Sequence, residues 1–331
     1  MIKSLVTGGA GFIGAHVTNE LVKAGHQVVV LDDLSGGFVE NINPSAVFVN
    51  GSVTDYEFIE KLFKEHKFDY VYHLAAYAAE GLSHFIKRFN YNNNLIGSVN
   101  LINEAVKHKV KCFVFTSSIA VYGKGQLPMT EEMQPIPEDS YGISKYAIEL
   151  ELKCTHEMFG LDYIIFRPHN VYGEFQNIGD KYRNVVGIFI NQLLQGKSLS
   201  IFGDGMQTRA FSYIGDVAPV IANSINVPAA RNQVFNIGAD QAFTVNELAN
   251  TVQDVMDLKG KIRYLDSRNE VMHAYADHSK VKKVFGVSHF TSLKDGVRKM
   301  ADWAKTAGIR KSMKFKGIEI MEKMPAFWLE D

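Results

Sequence analysis

The stretch TGGAGFIG, residues 7–14, decides the fold of this chain. Its glycines Gly8, Gly11 and Gly14 follow a short apolar run and precede a segment with helical spacing at residues 13–24. Glycine is needed where a strand turns tightly into a helix and where the backbone must come close to a phosphate. The free amides and positive dipole end of such a helix favour an anion. The pattern therefore predicts a strand, a phosphate-binding turn and a helix.

Two acidic residues follow the next apolar run. The segment QVVVLDD, residues 27–33, ends on Asp32 and Asp33. An acid about 20 residues after a glycine-rich turn accepts hydrogen bonds from the ribose of a bound dinucleotide. A carboxylate at that place also repels a 2′-phosphate, so the sequence favours NAD over NADP, with Asp32 as the main ligand and Asp33 able to share its role.

The first half of the chain alternates short apolar runs with longer helical stretches. Strands are predicted at residues 2–7, 27–31, 46–50, 70–74, 111–116 and 163–167, and helices at 13–24, 55–65, 93–107 and 141–159. Runs that are apolar on both faces and alternate with helices indicate a parallel sheet covered on both sides. We therefore predict an α/β fold, a Rossmann-type doubly wound parallel sheet.

The pattern changes after about residue 170, where the elements become shorter and more mixed. We expect an NAD-binding domain at residues 1–172, to which later segments return. Residues 173–331 are expected to form mainly a smaller α/β substrate domain. The segment after residue 309 is expected to pack across the surface.

Composition excludes several classes of protein. The 331 residues carry 35 Lys and Arg against 36 Asp and Glu, a balance that argues against a nucleic-acid partner. Two cysteines cannot build a disulfide framework, and no Cys/His cluster or HExxH pattern predicts a metal site. The chain lacks an apolar run of about 18 residues, so we expect no membrane span. Because MIKSLVTGG leads directly into a strand, we see no signal peptide and expect a cytoplasmic protein.

A tyrosine and a lysine lie four residues apart in YGISK, at Tyr141 and Lys145, so both fall on one face of a predicted helix. A tyrosine with the ordinary pKa of about 10 is a poor base at neutral pH. A neighbouring ammonium and a cationic nicotinamide would both favour its phenolate. Ser118, in FTSSIAVYG at the end of a predicted strand, could bind a sugar hydroxyl beside Tyr141.

Together these motifs make the chain resemble the extended short-chain dehydrogenase/reductases, specifically the nucleotide-diphosphate-sugar 4-epimerases. TGGAGFIG, LDDLSGG, HLAA (residues 73–76) and RPHNVYG (residues 167–173) match family motifs, as does IFGDGMQTRAFSYIGDV (residues 201–217). The resemblance covers nearly the whole chain. Three places depart from the family pattern: Ser52 stands where an aspartate often meets the adenine, Ala210 stands where an aspartate often follows the arginine, and YAAEG (residues 77–81) lacks a common lysine.

The resemblance implies a role for each matched residue. The catalytic residues would be Ser118, Tyr141 and Lys145. The NAD-binding residues would be Gly8, Gly11, Phe12, Ile13, Gly14, Asp32, Asp33, Ser52, Val53, Leu74, Ala75, Ala76, Asn94, Tyr141, Lys145 and Pro168. The substrate-binding residues would be Ser118, Tyr141, Asn170, Val186, Arg209, Arg268 and Ala274, with the two arginines on the diphosphate.

The implied reaction is NAD-dependent C4 epimerisation of a UDP-sugar through a 4-keto intermediate. Sugar 4,6-dehydratases and UDP-glucuronate decarboxylases carry an acid after the serine, whereas this chain has Ile119 and Ala120. Those enzymes, an epimerase acting at another carbon and a non-catalytic dinucleotide-sensing protein remain the alternatives. A small residue at Ala274 would admit an N-acetyl group, so UDP-GlcNAc and UDP-GalNAc are expected substrates, beside or instead of UDP-Glc and UDP-Gal.

Family members pair through two helices of each subunit. The matching segments are residues 93–107 and 141–159, and the second carries more apolar side chains than one sheet contact needs. The resemblance therefore implies a homodimer.

Overall fold

The strands form one large sheet and three small ones. A computed structural model of the chain describes residues 1–268, 270–312 and 314–329. In these residues the strands are β1 (Lys3–Thr7), β2 (Gln27–Asp32), β3 (Val47–Asn50), β4 (Tyr70–His73), β5 (Cys112–Thr116), β6 (Tyr163–Pro168), β7 (Val171–Tyr172), β8 (Leu199–Phe202), β9 (Thr208–Ala210), β10 (Ser212–Tyr213), β11 (Gln233–Ile237), β12 (Ala242–Thr244), β13 (Ile262–Leu265) and β14 (His273–Ala274).

Helices connect these strands and cover the main sheet. In the same residues the α-helices are α1 (Phe12–Lys23), α2 (Tyr56–Glu65), α3 (Glu80–Ser83), α4 (Lys87–Asn90), α5 (Gly97–Lys107), α6 (Ser140–Phe159), α7 (Val185–Leu194), α8 (Ile214–Asn223), α9 (Val245–Met256), α10 (Ser279–Phe285) and α11 (Leu293–Ala307). Among the described residues, no helix combines the length and apolar character that a bilayer crossing requires.

The main sheet confirms the predicted fold class. Its order is β11-β6-β5-β4-β1-β2-β3, and every neighbouring pair is parallel. The strand order reverses between β1 and β4. The loops that follow these two strands therefore diverge and leave a crevice at the carboxyl edge of the sheet, where ligands bind in doubly wound folds.

Local sequence signals set the helix ends. The Asp55 carboxylate accepts a hydrogen bond from the Phe58 amide at 3.0 Å and caps α2. The Asp139 carboxylate accepts one from the Gly142 amide at 2.8 Å and caps α6. Helix α6 ends at Gly160, which adopts the left-handed conformation with φ 74°. Glycine does so at little cost, so these residue types start and stop the helices where the sequence suggests.

One predicted helix is built differently from the expectation. Instead of a single helix over residues 93–107, α4 runs into a π-helix at Tyr91–Ile96, which continues into α5. The Asn94 amide group explains part of this widened turn. Its Nδ2 donates to Asn90 Oδ1 at 2.8 Å, and its Oδ1 accepts from the Tyr77 amide at 2.8 Å. The side chain thus ties the π-helix to the loop after β4.

The second half of the chain contributes to the main sheet. Strand β11 forms the edge beside β6, and α8 packs against α1. The smaller sheets β12-β9-β14 and β13-β8 lie beyond the carboxyl edge. One hydrophobic cluster joins Val17 of α1 to Leu248 of α9. The division at residues 172 and 173 stays a proposal.

A buried ion pair fastens α6 to β6. The Arg167 guanidinium donates to both carboxylate oxygens of Glu149, with Nε to Oε1 at 2.9 Å, and both side chains are nearly fully buried. A third donor, Nη1, reaches the Tyr122 hydroxyl at 2.6 Å. This pair lies one helical turn beyond Lys145, so it holds the part of α6 that carries the predicted catalytic residues.

Candidate active site

A cavity of about 430 Å³ opens at the carboxyl edge of the main sheet. Its wall includes the ends of β1, β2, β4, β5 and β6 together with segments of the second half of the chain. Most of the predicted site residues line it. They are Gly8, Gly11, Phe12, Ile13, Gly14, Asp32, Asp33, Val53, Leu74, Ala75, Ala76, Ser118, Tyr141, Lys145, Pro168, Asn170, Val186, Arg209 and Arg268.

The glycine turn is as tight as its sequence implies. Gly8 has φ +71°, and a Cβ on it would lie 2.8 Å from the backbone of Ala75. A Cβ on Gly14 would overlap the carbonyl oxygen of Gly8. Gly11 caps α1 without any side-chain hydrogen bond, and the first turn of α1 carries no acid. The amides at this helix end therefore face the cavity without a capping side chain, an arrangement that suits a pyrophosphate.

Asp32 lies at the end of β2 beside that turn. Its Oδ2 accepts from the Ala10 amide at 3.0 Å, and its Oδ1 accepts from the Leu34 amide at 2.8 Å. Burial raises the pKa of the Asp32 carboxyl, while the two amides oppose the rise. The Asp33 carboxylate accepts from the Ser35 amide at 2.9 Å and is exposed. Both acids line the cavity, and Asp32 is the one anchored to the glycine turn.

His73 connects the glycine turn to the helix behind it. Its Nδ1 lies 2.7 Å from Thr7 Oγ1, and its Nε2 lies 2.7 Å from Ser98 Oγ. The Ser98 hydroxyl donates to the carbonyl of Asn94, so the Nε2 of His73 donates to Ser98 and its Nδ1 accepts from Thr7. Burial lowers the pKa of His73 to about 3. The histidine is therefore a neutral structural link and not a catalytic base.

Lys145 is buried at the floor of the cavity. Its Nζ donates to the carbonyl of Thr116 at 2.7 Å and lies 5.8 Å from the centre of the Tyr141 ring. Burial lowers the pKa of Lys145 to about 7, and the Glu149 carboxylate opposes this shift. Lys145 and Tyr141 share one face of α6, as the four-residue spacing predicts.

Tyr141 and Ser118 lie together at the centre of the cavity. Burial raises the pKa of the Tyr141 phenol, and a hydrogen bond with Ser118 lowers it in part. Ser118 also caps the short helix after β5 through the Ala120 amide, at 3.1 Å. The phenol is thus protonated in the free protein, and additional positive charge at the site would be needed to favour its phenolate.

Two arginines, Arg209 and Arg268, line the cavity together with Glu270. Arg209 Nη2 and Arg268 Nη2 lie 3.3 and 3.1 Å from the same carboxylate oxygen of Glu270. The Arg268 guanidinium also stacks over the Phe202 ring at 4.6 Å. Asn170, whose φ of 41° is one that asparagine tolerates, lines the same cavity. Two fixed guanidinium groups suit a diphosphate.

Ala274 lies in a side pocket of about 100 Å³ that adjoins the main cavity. The pocket shares Ser118 and Asn170 with the cavity and adds His169 and Met129. Ala274 is buried and pairs with Arg209 in the register of β14 on β9. The predicted gate residue is therefore beside the predicted catalytic serine.

Two predicted cofactor ligands are placed elsewhere. The Ser52 hydroxyl lies 3.0 Å from Thr54 Oγ1, and its neighbours Gly51 and Val53 line the cavity in its stead. The Asn94 side chain supports the loop at Tyr77 from behind, and Asn93 lines the cavity instead. Asn94 therefore supports a loop of the cavity wall from behind. The Ser52 side chain does not reach the wall.

Sequence reasoning missed several residues of the wall. Glu80 in α3 is open to the cavity yet surrounded by protein, and burial raises the pKa of its carboxyl to about 7. Arg183 donates from Nε to Asp180 at 2.7 Å and stacks over the Tyr77 ring at 4.8 Å. These residues fall in segments without a recognised motif. The start of a helix within YAAEG was the one signal that the sequence offered for Glu80.

The residues present fit an NAD molecule. Side chains at Gly8 and Gly14 would collide with the backbone of Ala75 and of Gly8, so only glycine allows the tight turn whose bare amides suit its phosphates. Within the described residues, Ser117 Oγ and both amide atoms of Gln176 are buried at the cavity without a hydrogen-bond partner. Buried polar atoms are rarely left unpaired in folded proteins, so these atoms favour a polar ligand in the cavity.

Comparison with known proteins agrees with this site. Residues 4–238 match the NAD dependent epimerase/dehydratase family. The chain belongs to this family. A UDP-glucose 4-epimerase of Mycolicibacterium smegmatis is 31% identical over 310 residues, covering 91% of this chain and 98% of that protein. The resemblance to the sugar 4-epimerases and the NAD dependence expected from the glycine turn are thereby confirmed.

Solved structures extend the likeness to three dimensions. The Thermotoga maritima UDP-glucose 4-epimerase with UDP-glucose is 34% identical with a TM-score of 0.88, covering 92% of this chain and 99% of its own. The Methanobrevibacter ruminantium UDP-N-acetylglucosamine 4-epimerase with UDP-N-acetylmuramic acid is 32% identical with a TM-score of 0.86, covering 93% and 99%. Both are similar to this chain over nearly their full length.

The shifted pKa of Lys145 predicts a pH-dependent stability. At pH values below about 7 both the folded and unfolded states hold this proton, whereas between about 7 and 10 only the unfolded state does. The free energy of unfolding should therefore rise with pH in that interval, by up to about 1.4 kcal/mol per pH unit. Replacement Lys145→Met should remove this rise. Denaturant titrations of the two cofactor-free proteins at several pH values measure the difference.

The matched control is Lys111→Met, because Lys111 is an exposed lysine bonded to Asp69. Its profile should stay parallel to that of the wild type up to about pH 9. A Lys145→Met profile that also stays parallel would show that Lys145 remains charged in the folded protein.

Proposed function

We propose that the protein epimerises a UDP-sugar at C4. The observation that carries this proposal is the meeting of Ser118, Tyr141 and Lys145 in one cavity whose wall also presents Arg209 and Arg268. A base and two cations in one cavity suit a sugar ring held by its nucleotide diphosphate. The ring can then present either face to the base while the diphosphate stays bound.

Tyr141 performs the proton transfers in this proposal. Its phenolate takes the proton of the sugar 4-hydroxyl and later returns it, so the enzyme gains and loses no proton over the cycle. NAD, held by the glycine turn and Asp32, would supply the hydride acceptor and donor for C4, and its positive charge would favour the phenolate of Tyr141. Ser118 orients the hydroxyl, and the Lys145 ammonium stabilises the phenolate from the floor of the cavity.

Arg209, Arg268 and Asn170 hold the nucleotide part. Glu270 already fixes the two guanidinium groups, so they lose little conformational freedom when a diphosphate arrives. Val186 adds an apolar contact to the same cavity wall. Asp32, with Asp33 beside it, holds the adenosine ribose, and the glycine turn holds the pyrophosphate of NAD.

An elimination or decarboxylation remains a second candidate because of Glu80. The positions after Ser118 hold Ile119 and Ala120, so no acid stands at the place expected for such chemistry. Glu80, however, lines both the cavity and the side pocket, and its carboxyl pKa of about 7 suits an acid or base. Asp139 lies on the same wall but is engaged in capping α6.

The sugar is proposed to carry an N-acetyl group. Because Ala274 is small, it leaves the side pocket of about 100 Å³ open next to Ser118. His169 and Asn170, which can donate and accept hydrogen bonds, also line this pocket. A side pocket beside the serine gives room for a substituent on the sugar ring that a filled wall would reject.

The protein is further proposed to form a homodimer through α6. Ile143, Leu150 and Met158 are exposed apolar residues spaced seven and eight positions apart, so they form one stripe along this helix. A stripe of this kind on a helix indicates a contact surface. Sedimentation should therefore show a species of twice 37.0 kDa. Leu150→Glu should shift it to the monomer, and a wild type that sediments as the monomer at working concentration would contradict the dimer.

The proposed reaction is tested by proton NMR in D2O. UDP-GlcNAc is incubated with the purified protein, and UDP-GalNAc without deuterium in the sugar is the expected product. Tyr141→Phe should reduce the rate by a factor of about 10³ or more, because the proton transfer loses its base. A 4-keto-6-deoxy product, or deuterium at C5 that Glu80→Gln abolishes, would instead establish the elimination. Absence of turnover with UDP-GlcNAc, UDP-Glc and UDP-GlcA would contradict both.

Ala274→Tyr tests the side pocket. The tyrosine ring should fill the pocket, so turnover of UDP-GlcNAc should fall by a factor of about 100 while that of UDP-Glc stays within about twofold. Ala274→Ser, which barely changes the side-chain volume, serves as the control and should retain both activities. Equal loss of both substrates in Ala274→Tyr would show that the residue does not select the sugar.

A further inference from the structure

The C-terminal segment, described at residues 309–312 and 314–329, runs back from the end of α11 along the outside of the cavity wall. The Phe315 amide donates to the Tyr182 hydroxyl at 3.0 Å. The Glu319 carboxylate accepts from the Arg88 and Phe89 amides, both at 2.9 Å, and so caps the start of α4. Its own amide donates to the Phe85 carbonyl at 2.8 Å. The segment is thus bonded to several loops and not merely laid over them.

Trp328 ends this segment as one of the largest buried side chains of the protein. Its ring is 2% exposed and packs against Tyr182 at 5.5 Å, Phe85 at 6.1 Å and Phe202 at 6.2 Å between ring centres. A Cβ on Gly81 would come within 3.2 Å of the indole, so glycine at this position gives the ring room. Three separate parts of the chain, at residues 81–85, at Tyr182 and at Phe202, therefore meet on one side chain.

The neighbours of Trp328 include residues that line the cavity. Tyr182, Phe202 and Gly81 are on its wall, and Gly81 follows Glu80. Arg268 is on it as well, with its guanidinium 4.6 Å from the Phe202 ring and 5.9 Å from the Trp328 ring. The cation is thus flanked by two aromatic rings, and its charge is attracted to both.

Contacts to Arg268 from other side chains are few. Glu270 holds one end of the guanidinium at 3.1 Å, and the Nε of Arg268 is buried without a partner among the described residues. The arginine is therefore not locked by hydrogen bonds at both ends. The aromatic rings of Phe202 and Trp328 supply the remaining constraint on its orientation.

We propose that Trp328 is a positioning residue for nucleotide binding. From outside the cavity it holds Arg268 and Phe202 in the orientation that receives the diphosphate and the adjoining nucleoside. This inference rests on the proposed function, in which Arg268 binds the diphosphate. It gives the C-terminal segment a role in substrate affinity that no motif of the chain indicates. The residue touches neither the reacting carbon nor Tyr141, so the chemical step should not depend on it.

Calorimetric titration of the protein with UDP tests this role without requiring turnover. Trp328→Ala should raise the dissociation constant of UDP about tenfold, a factor in keeping with the loss of one aromatic partner of a largely desolvated cation. Trp328→Phe should restore most of the affinity, because it keeps an aromatic face beside Arg268. Leu329→Ala is the matched control. It removes an exposed neighbour and should bind UDP like the wild type.

Kinetics with the UDP-sugar provide the second readout. In Trp328→Ala the KM should rise by a similar factor while kcat stays within about twofold, since the interaction is lost from ground state and transition state alike. Unchanged UDP affinity in Trp328→Ala, alongside UDP binding by the wild type, would overturn this inference alone. A wild type that does not bind UDP would overturn the proposed function and this inference with it.

Fluorescence keeps the inference testable if Trp328→Ala does not fold. The chain has two tryptophans, and Trp303→Phe leaves Trp328 as the only one. Because its ring lies beside Arg268 and Phe202, its emission should change on addition of UDP and saturate at the concentration found by calorimetry. An emission that UDP leaves unchanged, while calorimetry shows binding to the same variant, would overturn the role of Trp328.

Discussion

The close approach of α1 to the turn after β1 is the constraint on which the rest of the site depends. It is possible because Gly14 leaves the Gly8 carbonyl uncovered and Gly8 leaves room for the backbone of Ala75. The same contact aims the first amides of α1 at the cavity. His73 then ties β1 and β4 to the helix behind them through Thr7 and Ser98. One crowded point therefore fixes the turn at the cavity and joins it to both β1 and β4.

A second constraint acts on the opposite side of the switch between β1 and β4. Lys145 and Tyr141 reach the cavity only because α6 lies firmly on the sheet, and the buried Glu149–Arg167 pair holds it there. Breaking such a pair by removing one partner costs about 3–5 kcal/mol, since it leaves an uncompensated charge. The pair continues through the Tyr122 hydroxyl to Asn236 of β11, 2.8 Å away. The second half of the chain is thus linked to the helix that carries the tyrosine and lysine.

The sequence predicts six of the seven strands of the main sheet, all but the edge strand β11, and it predicts the cavity wall only in part. Runs such as QVVVLD indicate strands because their apolar residues follow one another without alternation, as in a strand buried on both faces. The structure begins and ends these strands within a residue or two of the prediction. The π-helix at Tyr91–Ile96 was not foreseen, since it depends on the Asn94 amide meeting a loop 17 residues away. Glu80, Arg183 and Trp328 were missed for the same reason: tertiary packing alone brings them to the wall. Ser52 was predicted to bind the cofactor from its place in a motif, whereas in the structure its hydroxyl forms a local hydrogen bond with the Thr54 hydroxyl.

The charges of the cavity explain how two arginines, Arg209 and Arg268, can lie close together before a ligand binds. Without an acid nearby, the positive charges of Arg209 and Arg268 would repel each other. Glu270 lies between them and offsets that repulsion. In the proposed function, an incoming diphosphate would therefore meet cations that are already oriented, and it would compete with a single carboxylate for them. The cost of ordering two long side chains is met during folding and not during binding. The aromatic rings beside Arg268 act in the same direction, because a flanked guanidinium has fewer orientations to lose. Affinity at this end of the cavity thus depends on residues that need not touch the ligand, and for that reason motif matching alone cannot find them.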